Sequence, residues 1–109
     1  MTEGALQDAI RLALRDVPGL VLWRNNVGTA LHADGRRVVY GLAPGSADLV
    51  GCLDGRFVAL EVKTATGRVR PEQSVWLACV RSVGGFAAVV RSVDEAREAV
   101  TRARAGARE

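Results

Sequence analysis

An aspartate, a glutamate and a lysine are the residues of this sequence whose types could do chemistry together: Asp48, Glu61 and Lys63. Two carboxylates suit a hard divalent cation such as Mg²⁺ or Mn²⁺. Such an ion lowers the pKa of a bound water and neutralises charge on a phosphoryl oxygen. A lysine beside it could orient the attacking water or stabilise the charge that develops on the phosphate. The set therefore predicts attack on a phosphate ester, provided that the chain brings the three side chains together.

One β-hairpin would bring them together. Residues 47–53 and 56–63 flank Asp54-Gly55, which is a strong signal for a two-residue hairpin turn. That turn pairs position 53 with position 56, and the same register places Asp48 opposite Glu61. Side chains alternate along a strand, so the lysine shares the face of the glutamate. A cation between the opposed acids would remove their repulsion.

A solvated surface is the alternative interpretation of these charges, because short charged motifs often occur by chance. The neighbours Leu49, Leu60 and Val62 are apolar and indicate a buried pair of strands. Charged residues that interrupt an apolar strand are expected at functional sites. This pattern favours a site over a surface.

The remaining elements predict an α/β fold in a single domain over residues 1–109. Apolar periodicity predicts a first helix over 3–17, and the apolar stripe of a second helix after Pro71 consists of Val75, Trp76, Cys79, Val80 and Val83. Strands are predicted at 20–24, 37–40 and 86–90, a loop at 25–36, and a last helix after the capping box at 92–95. The prediction is a central mixed β-sheet flanked by helices, in the order α-β-β-β-α-β-α.

Composition excludes few classes of protein. The net charge of +3 fits nucleic-acid binding without requiring it.

Cys52 and Cys79 lack metal or disulfide spacing and are predicted to be buried thiols in a reducing cytoplasm. Trp23 and Trp76 are predicted to be core aromatics, and His32 has no second ligand near it. No apolar run reaches the roughly 18 residues of a membrane span, and the amphipathic N-terminus is unlike a signal peptide.

The chain resembles the VRR-NUC domain, a branch of the PD-(D/E)XK nuclease superfamily. The resemblance covers nearly the whole chain and rests on GSADL at residues 45–49, LEVK at 60–63, Gly67 and EQSVW at 72–76. The opening helix, the RNNVG segment at 24–28 and the Gly84-Gly85 break match as well. It implies a restriction-endonuclease-like fold. One departure is Ala47, which stands where the family commonly has proline.

The resemblance implies a role for each matching residue. The catalytic set is Asp48, Glu61, Lys63 and Gln73, of which the two acids bind metal. The backbone carbonyl of Val62 would complete the metal shell. Glu3 matches an acid that some members bring as a further ligand. An acid favoured by the dipole at the start of a helix is an equal alternative for Glu3.

The resemblance and the acids together predict a Mg²⁺-dependent DNA endonuclease in which Mn²⁺ substitutes. We expect it to hydrolyse phosphodiester bonds in branched or Holliday-junction-like DNA, without an organic cofactor. Basic and amide side chains in the loops are predicted as a cluster to contact phosphates: Arg24, Asn25, Asn26, Arg68 and Arg70, with Arg36 and Arg37 nearby. For any one of them, a solvated surface group is the favoured alternative.

The resemblance also implies a homodimer of phage or bacterial type that acts in the cytoplasm, or in the host cytoplasm if a phage encodes it. Two alternatives are kept. One is a DNA-binding or assembly module that has the same fold and no turnover. The other is a plain α/β subunit of a phage complex whose acids are surface groups.

Overall fold

A mixed β-sheet with helices on both faces organises the chain, which the computed structural model describes over residues 1–109. The elements in chain order are α1 (Glu3–Leu14), β1 (Leu20–Arg24), β2 (Gly28–Leu31), β3 (Arg37–Tyr40), β4 (Leu49–Leu53), β5 (Arg56–Val62), α2 (Pro71–Ser82), β6 (Phe86–Val90) and α3 (Val93–Arg104). None of the three helices has the length and apolarity that a bilayer span requires.

The central sheet has the strand order β1-β4-β5-β6. Its first three strands pair antiparallel, and β6 joins β5 in parallel after the α2 crossover. The strands β2 and β3 form a separate two-stranded sheet. The predicted α/β fold with a mixed central sheet is confirmed, and the predicted order α-β-β-β-α-β-α is that of the central sheet with its helices.

The β4–β5 hairpin has the register that the sequence predicts. Asp54 and Gly55 both have positive φ angles, 50° and 82°. Two such residues give the turn whose twist matches that of the flanking strands. The ladder then pairs Leu53 with Arg56 and Leu49 with Leu60, with no bulge between them.

Two apolar clusters hold the layers together. The larger one joins α1 and α3 to one face of the sheet, and its α3 contribution is Ala96, Ala99, Val100 and Ala103. The smaller one lies under α2 and contains Ala47, Val50, Ala59, Leu77 and Ala87. The guanidinium of Arg56 ties the layers at the hairpin end, because it donates to the carbonyls of Gly84 and Ala103.

The predicted end of the first helix, the predicted loop at 25–36 and the predicted apolar face of α2 need correction. The first helix ends at Leu14 and not at residue 17. The predicted loop at 25–36 contains the strand β2. The predicted stripe of α2 is right only in part, since Trp76 and Val80 pack against the smaller cluster. Val75 is 63% and Val83 85% exposed, and the residues that α2 buries are Gln73 and Leu77. The helix packs on β6 with a narrow face, so only one side of it is covered.

The predicted burial of both cysteines and of Trp23 is wrong. Cys52 and Cys79 are exposed free thiols, and Trp23 is 54% exposed. Trp76 is half-buried and contacts Phe57 edge to face. Cys52 and Trp23 are open because α2 lies over β6 and leaves the outer part of the same sheet face, on β4 and β1, without a covering helix. Cys79 lies on α2 itself, outside the face that buries Gln73 and Leu77.

Candidate active site

Three carboxylates from three separate elements meet at one end of the hairpin. Glu3 begins α1, Asp48 precedes β4, and Glu61 lies near the end of β5. One oxygen of each lies within 4.8 Å of the others. Glu61 is fully buried, and the other two are half-buried. Such a grouping of like charges is unfavourable unless a cation or a proton joins it.

Asp48 is held at two points. Its Oδ2 accepts a hydrogen bond from the backbone N–H of Val62 at 2.9 Å. Its carbonyl accepts one from the backbone N–H of Asn25 at 2.7 Å. The carboxylate therefore contacts the backbone of Val62, the residue whose carbonyl is the predicted further ligand.

Glu61 has one satisfied and one unsatisfied oxygen. Its Oε1 accepts from Nε2 of Gln73 at 3.2 Å and lies 3.7 Å from Nζ of Lys63. Its Oε2 is buried and has no hydrogen-bond partner. Buried polar atoms are rarely left in this state.

The surroundings of Glu61 disfavour its charged form. Burial, the hydrogen bond that a protonated Glu61 would donate to Asp48, and repulsion by Asp48 and Glu3 together raise the pKa of this carboxyl from 4.5 to about 8. Lys63 acts in the opposite direction. The unpartnered oxygen and the all-oxygen donor set fit a hard divalent cation, which would replace the proton.

Lys63 and Gln73 reach Glu61 from different elements. The side chain of Lys63 is 8% exposed and follows β5 on the face of the acids. Gln73 lies in the first turn of α2, which Pro71 opens. Its Oε1 accepts from the backbone N–H of Arg70 at 2.9 Å while its amide nitrogen donates to Glu61. Gln73 therefore ties the start of α2 to the acid cluster.

A cleft of about 300 Å³ opens beside Asp48 and Gln73. Its other walls are the β2–β3 sheet, the turn at 44–46 and the start of α2. Among the predicted DNA contacts, Asn25 and Arg70 line this cleft. Arg24, Asn26 and Arg68 are exposed and lie outside its lining, and Arg37 is exposed on β3. Arg36 pairs with Asp34 at the tip of the β2–β3 sheet.

Two features near the site were not predicted. The side-chain amide of Asn25 is hydrogen-bonded to the turn that leads into Asp48. The guanidinium of Arg91 donates to the carbonyls of Thr64 and Gly67, at 2.7 Å each, and so holds the loop between β5 and α2. The position of Asn25 between a strand and a glycine is a weak sequence signal for its bonds to the turn. The sequence around Arg91 carries no signal for its bonds to the loop.

A mixed sheet that carries two acids and a lysine on one face, with a glutamine arriving from the next helix, is the arrangement of the PD-(D/E)XK nuclease superfamily. Within it, a comparison with protein families finds the VRR-NUC domain over residues 1–94 of this chain, and the chain belongs to that family. A search of curated proteins gave no match. The resemblance in the sequence is thereby confirmed, and membership implies a nuclease-type function.

Proposed function

We propose that this protein is a divalent-metal-dependent DNA endonuclease that uses Mg²⁺ and accepts Mn²⁺. The observation that carries the proposal is the cluster of Glu3, Asp48 and Glu61, with oxygens within 4.8 Å of one another and the buried Oε2 of Glu61 left unpartnered. A lysine ammonium lies beside the same carboxylate. Acids to hold a cation and a fixed positive charge next to them are what phosphodiester hydrolysis needs.

Each residue has a distinct proposed task. Asp48 and Glu61 hold the cation together with the Val62 carbonyl, and Glu3 supplies a further oxygen. When bound, the cation would supply a water of lowered pKa and charge neutralisation. Lys63 holds its ammonium near the reacting phosphate, where negative charge develops. Gln73 keeps Glu61 in one orientation through the Nε2–Oε1 hydrogen bond.

The proposed substrate is DNA, and we propose a preference for branched forms. Arg70 lines the cleft beside Asp48. Arg24, Asn26 and Arg68 are exposed and free to contact phosphates, which position a duplex without reading its sequence. We propose that residues 1–109 act as one nuclease domain in the cytoplasm.

We also propose a homodimer, which would bring two sites to one branched substrate. The open part of the sheet face supports this proposal: Val21 and Trp23 of β1 and Phe57 of β5 are 52%, 54% and 38% exposed. Light scattering after size exclusion should give twice the protomer mass of 11.6 kDa. A mass of one protomer at micromolar concentration would contradict the dimer.

A cleavage assay tests the nuclease. Linear, flapped, four-way and plasmid DNA are incubated with the protein in Mg²⁺, in Mn²⁺ and in EDTA. We expect nicking with either cation and none with EDTA. The variants Asp48→Asn and Lys63→Ala should lose activity, and Glu98→Gln, an exposed residue of α3, should retain it.

Two results would count against the proposal. Equal cleavage by wild type, Asp48→Asn and Lys63→Ala would show that the activity lies elsewhere. Salt-sensitive DNA binding with no product and no metal effect would instead show a binding module with the same fold.

A further inference from the structure

The side chain of Asn25 is hydrogen-bonded entirely within the protein. Its Nδ2 donates to Oγ of Ser46 at 2.8 Å and to the carbonyl of Ala47 at 2.9 Å. Its Oδ1 accepts from the backbone N–H of Leu42 at 3.3 Å. A backbone carbonyl only accepts and a backbone N–H only donates, so these partners fix which atom is the nitrogen.

These bonds span the turn that delivers Asp48. Residues 42–47 form no helix or strand. Besides Asn25, Ser46 stabilises this turn, because its Oγ donates to the carbonyl of Ala43 at 2.6 Å. Asn25 therefore contacts both ends of the turn, at Leu42 and at Ala47.

The main chain of Asn25 contacts Asp48 itself. Its N–H donates to the Asp48 carbonyl at 2.7 Å and extends the β1–β4 ladder by one step beyond Arg24 and Leu49. One residue thus fixes the peptide of Asp48 and the peptide before it. Asn25 thereby fixes the backbone from which the carboxylate of Asp48 extends.

We infer that Asn25 is a positioning residue for the metal site, which sets the place of the Asp48 carboxylate through the 42–47 turn. The expected loss of kcat rests on the proposed nuclease function. The expected loss of cation affinity does not depend on it. A DNA contact by Asn25 is disfavoured because both N–H bonds of its amide already have acceptors. Groups that orient metal ligands typically change metal affinity or activity by about 10- to 100-fold when removed.

Three variants test the inference by Mn²⁺ calorimetry and steady-state cleavage. Asn25→Ala removes all three side-chain bonds. Asn25→Asp keeps the shape and the acceptor for Leu42 but cannot donate to Ala47. Asn26→Ala is the matched control for cation binding, since Asn26 is the exposed neighbour of the same residue type.

We expect both Asn25 variants to bind Mn²⁺ about 10- to 100-fold more weakly and to lose kcat, with KM for DNA changed by less than about twofold. Asn26→Ala should keep the Mn²⁺ affinity of the wild type. Circular dichroism at the assay temperature checks that each variant is folded. If Asn25→Ala unfolds, the measurements on Asn25→Asp decide the test.

The outcomes separate this inference from the nuclease proposal. Wild-type Mn²⁺ affinity in both Asn25 variants, or a raised KM with unchanged kcat, would overturn the positioning role and favour a DNA contact. A wild-type protein that binds Mn²⁺ in an Asn25-dependent manner but cuts no DNA would support the positioning role while refuting the nuclease.

Discussion

Replacing Glu61 with glutamine should make the metal-free protein more stable at high pH. Glu61 is fully buried, and burial together with Asp48 raises its pKa from 4.5 to about 8. The folded state therefore binds the proton more tightly than the unfolded state does. The stability from this group is present below pH about 4.5 and is lost as the pH rises to about 8.

The magnitude follows from the same shift. Each pKa unit corresponds to about 1.4 kcal/mol, and water drawn towards the buried anion reduces the full effect. We expect Glu61→Gln to gain roughly 2–4 kcal/mol at about pH 9, which corresponds to a rise in Tm of about 10 °C or more. The introduced amide keeps an oxygen for Gln73 and places a nitrogen where Oε2 of Glu61 has no partner. The lost attraction to Lys63 acts in the opposite direction and is the weaker effect.

The assay is thermal and urea unfolding in EDTA at about pH 5 and about pH 9, with Glu98→Gln as an exposed control for the same substitution. The stability that Glu61→Gln gains over the wild type should be small at the lower pH, where Glu61 of the wild type carries its proton. Mn²⁺ should stabilise the wild type by about 2.7 kcal/mol at 100 times its Kd and should stabilise Glu61→Gln much less. A variant that is less stable than the wild type at high pH in EDTA would refute the reasoning.

Three further substitutions probe the surroundings of the acids. Lys63→Met should lower kcat by about 10²–10³-fold while Mn²⁺ still binds, and cleavage within about threefold of the wild type would exclude a catalytic lysine. Gly45→Ala should lower the free energy of unfolding in urea by roughly 1–3 kcal/mol more than Gly35→Ala. Both glycines have φ near +86°, but only at Gly45 would a Cβ lie 2.6 Å from a backbone oxygen, that of Glu72. Equal losses of unfolding free energy in the two variants would contradict this clash. Arg91→Ala should speed hydrogen exchange in residues 64–70, because it removes both bonds that hold that loop; unchanged exchange there would show that the loop is held by other contacts.

The hairpin and its acids could be predicted from the sequence because the turn is chemically specific. Asp54-Gly55 permits positive φ at both positions, and that choice alone fixes the register of the two strands. Placing Asp48 beside Glu61 required no knowledge of the rest of the fold. Gln73 was indicated only by the family resemblance, because its distance from Glu61 depends on where α2 packs.

Burial outside the central strands was harder to predict. Trp23 lies on an apolar run, yet it is exposed because no helix covers that part of the sheet face. The strand β2 was missed because its residues do not alternate between buried and exposed positions. Whether a position is covered depends on tertiary packing, which the periodicity of a single segment does not encode.

The helix α3 has a practical consequence for how a fragment of this protein should be cut. The family match ends at residue 94, just after α3 begins. Yet Ala96, Ala99, Val100 and Ala103 fill one layer of the core, and the backbone N–H of Ala87 donates to the carbonyl of Arg108. A recombinant fragment that stops at residue 94 would present an apolar sheet face to solvent, and we expect it to collect in inclusion bodies.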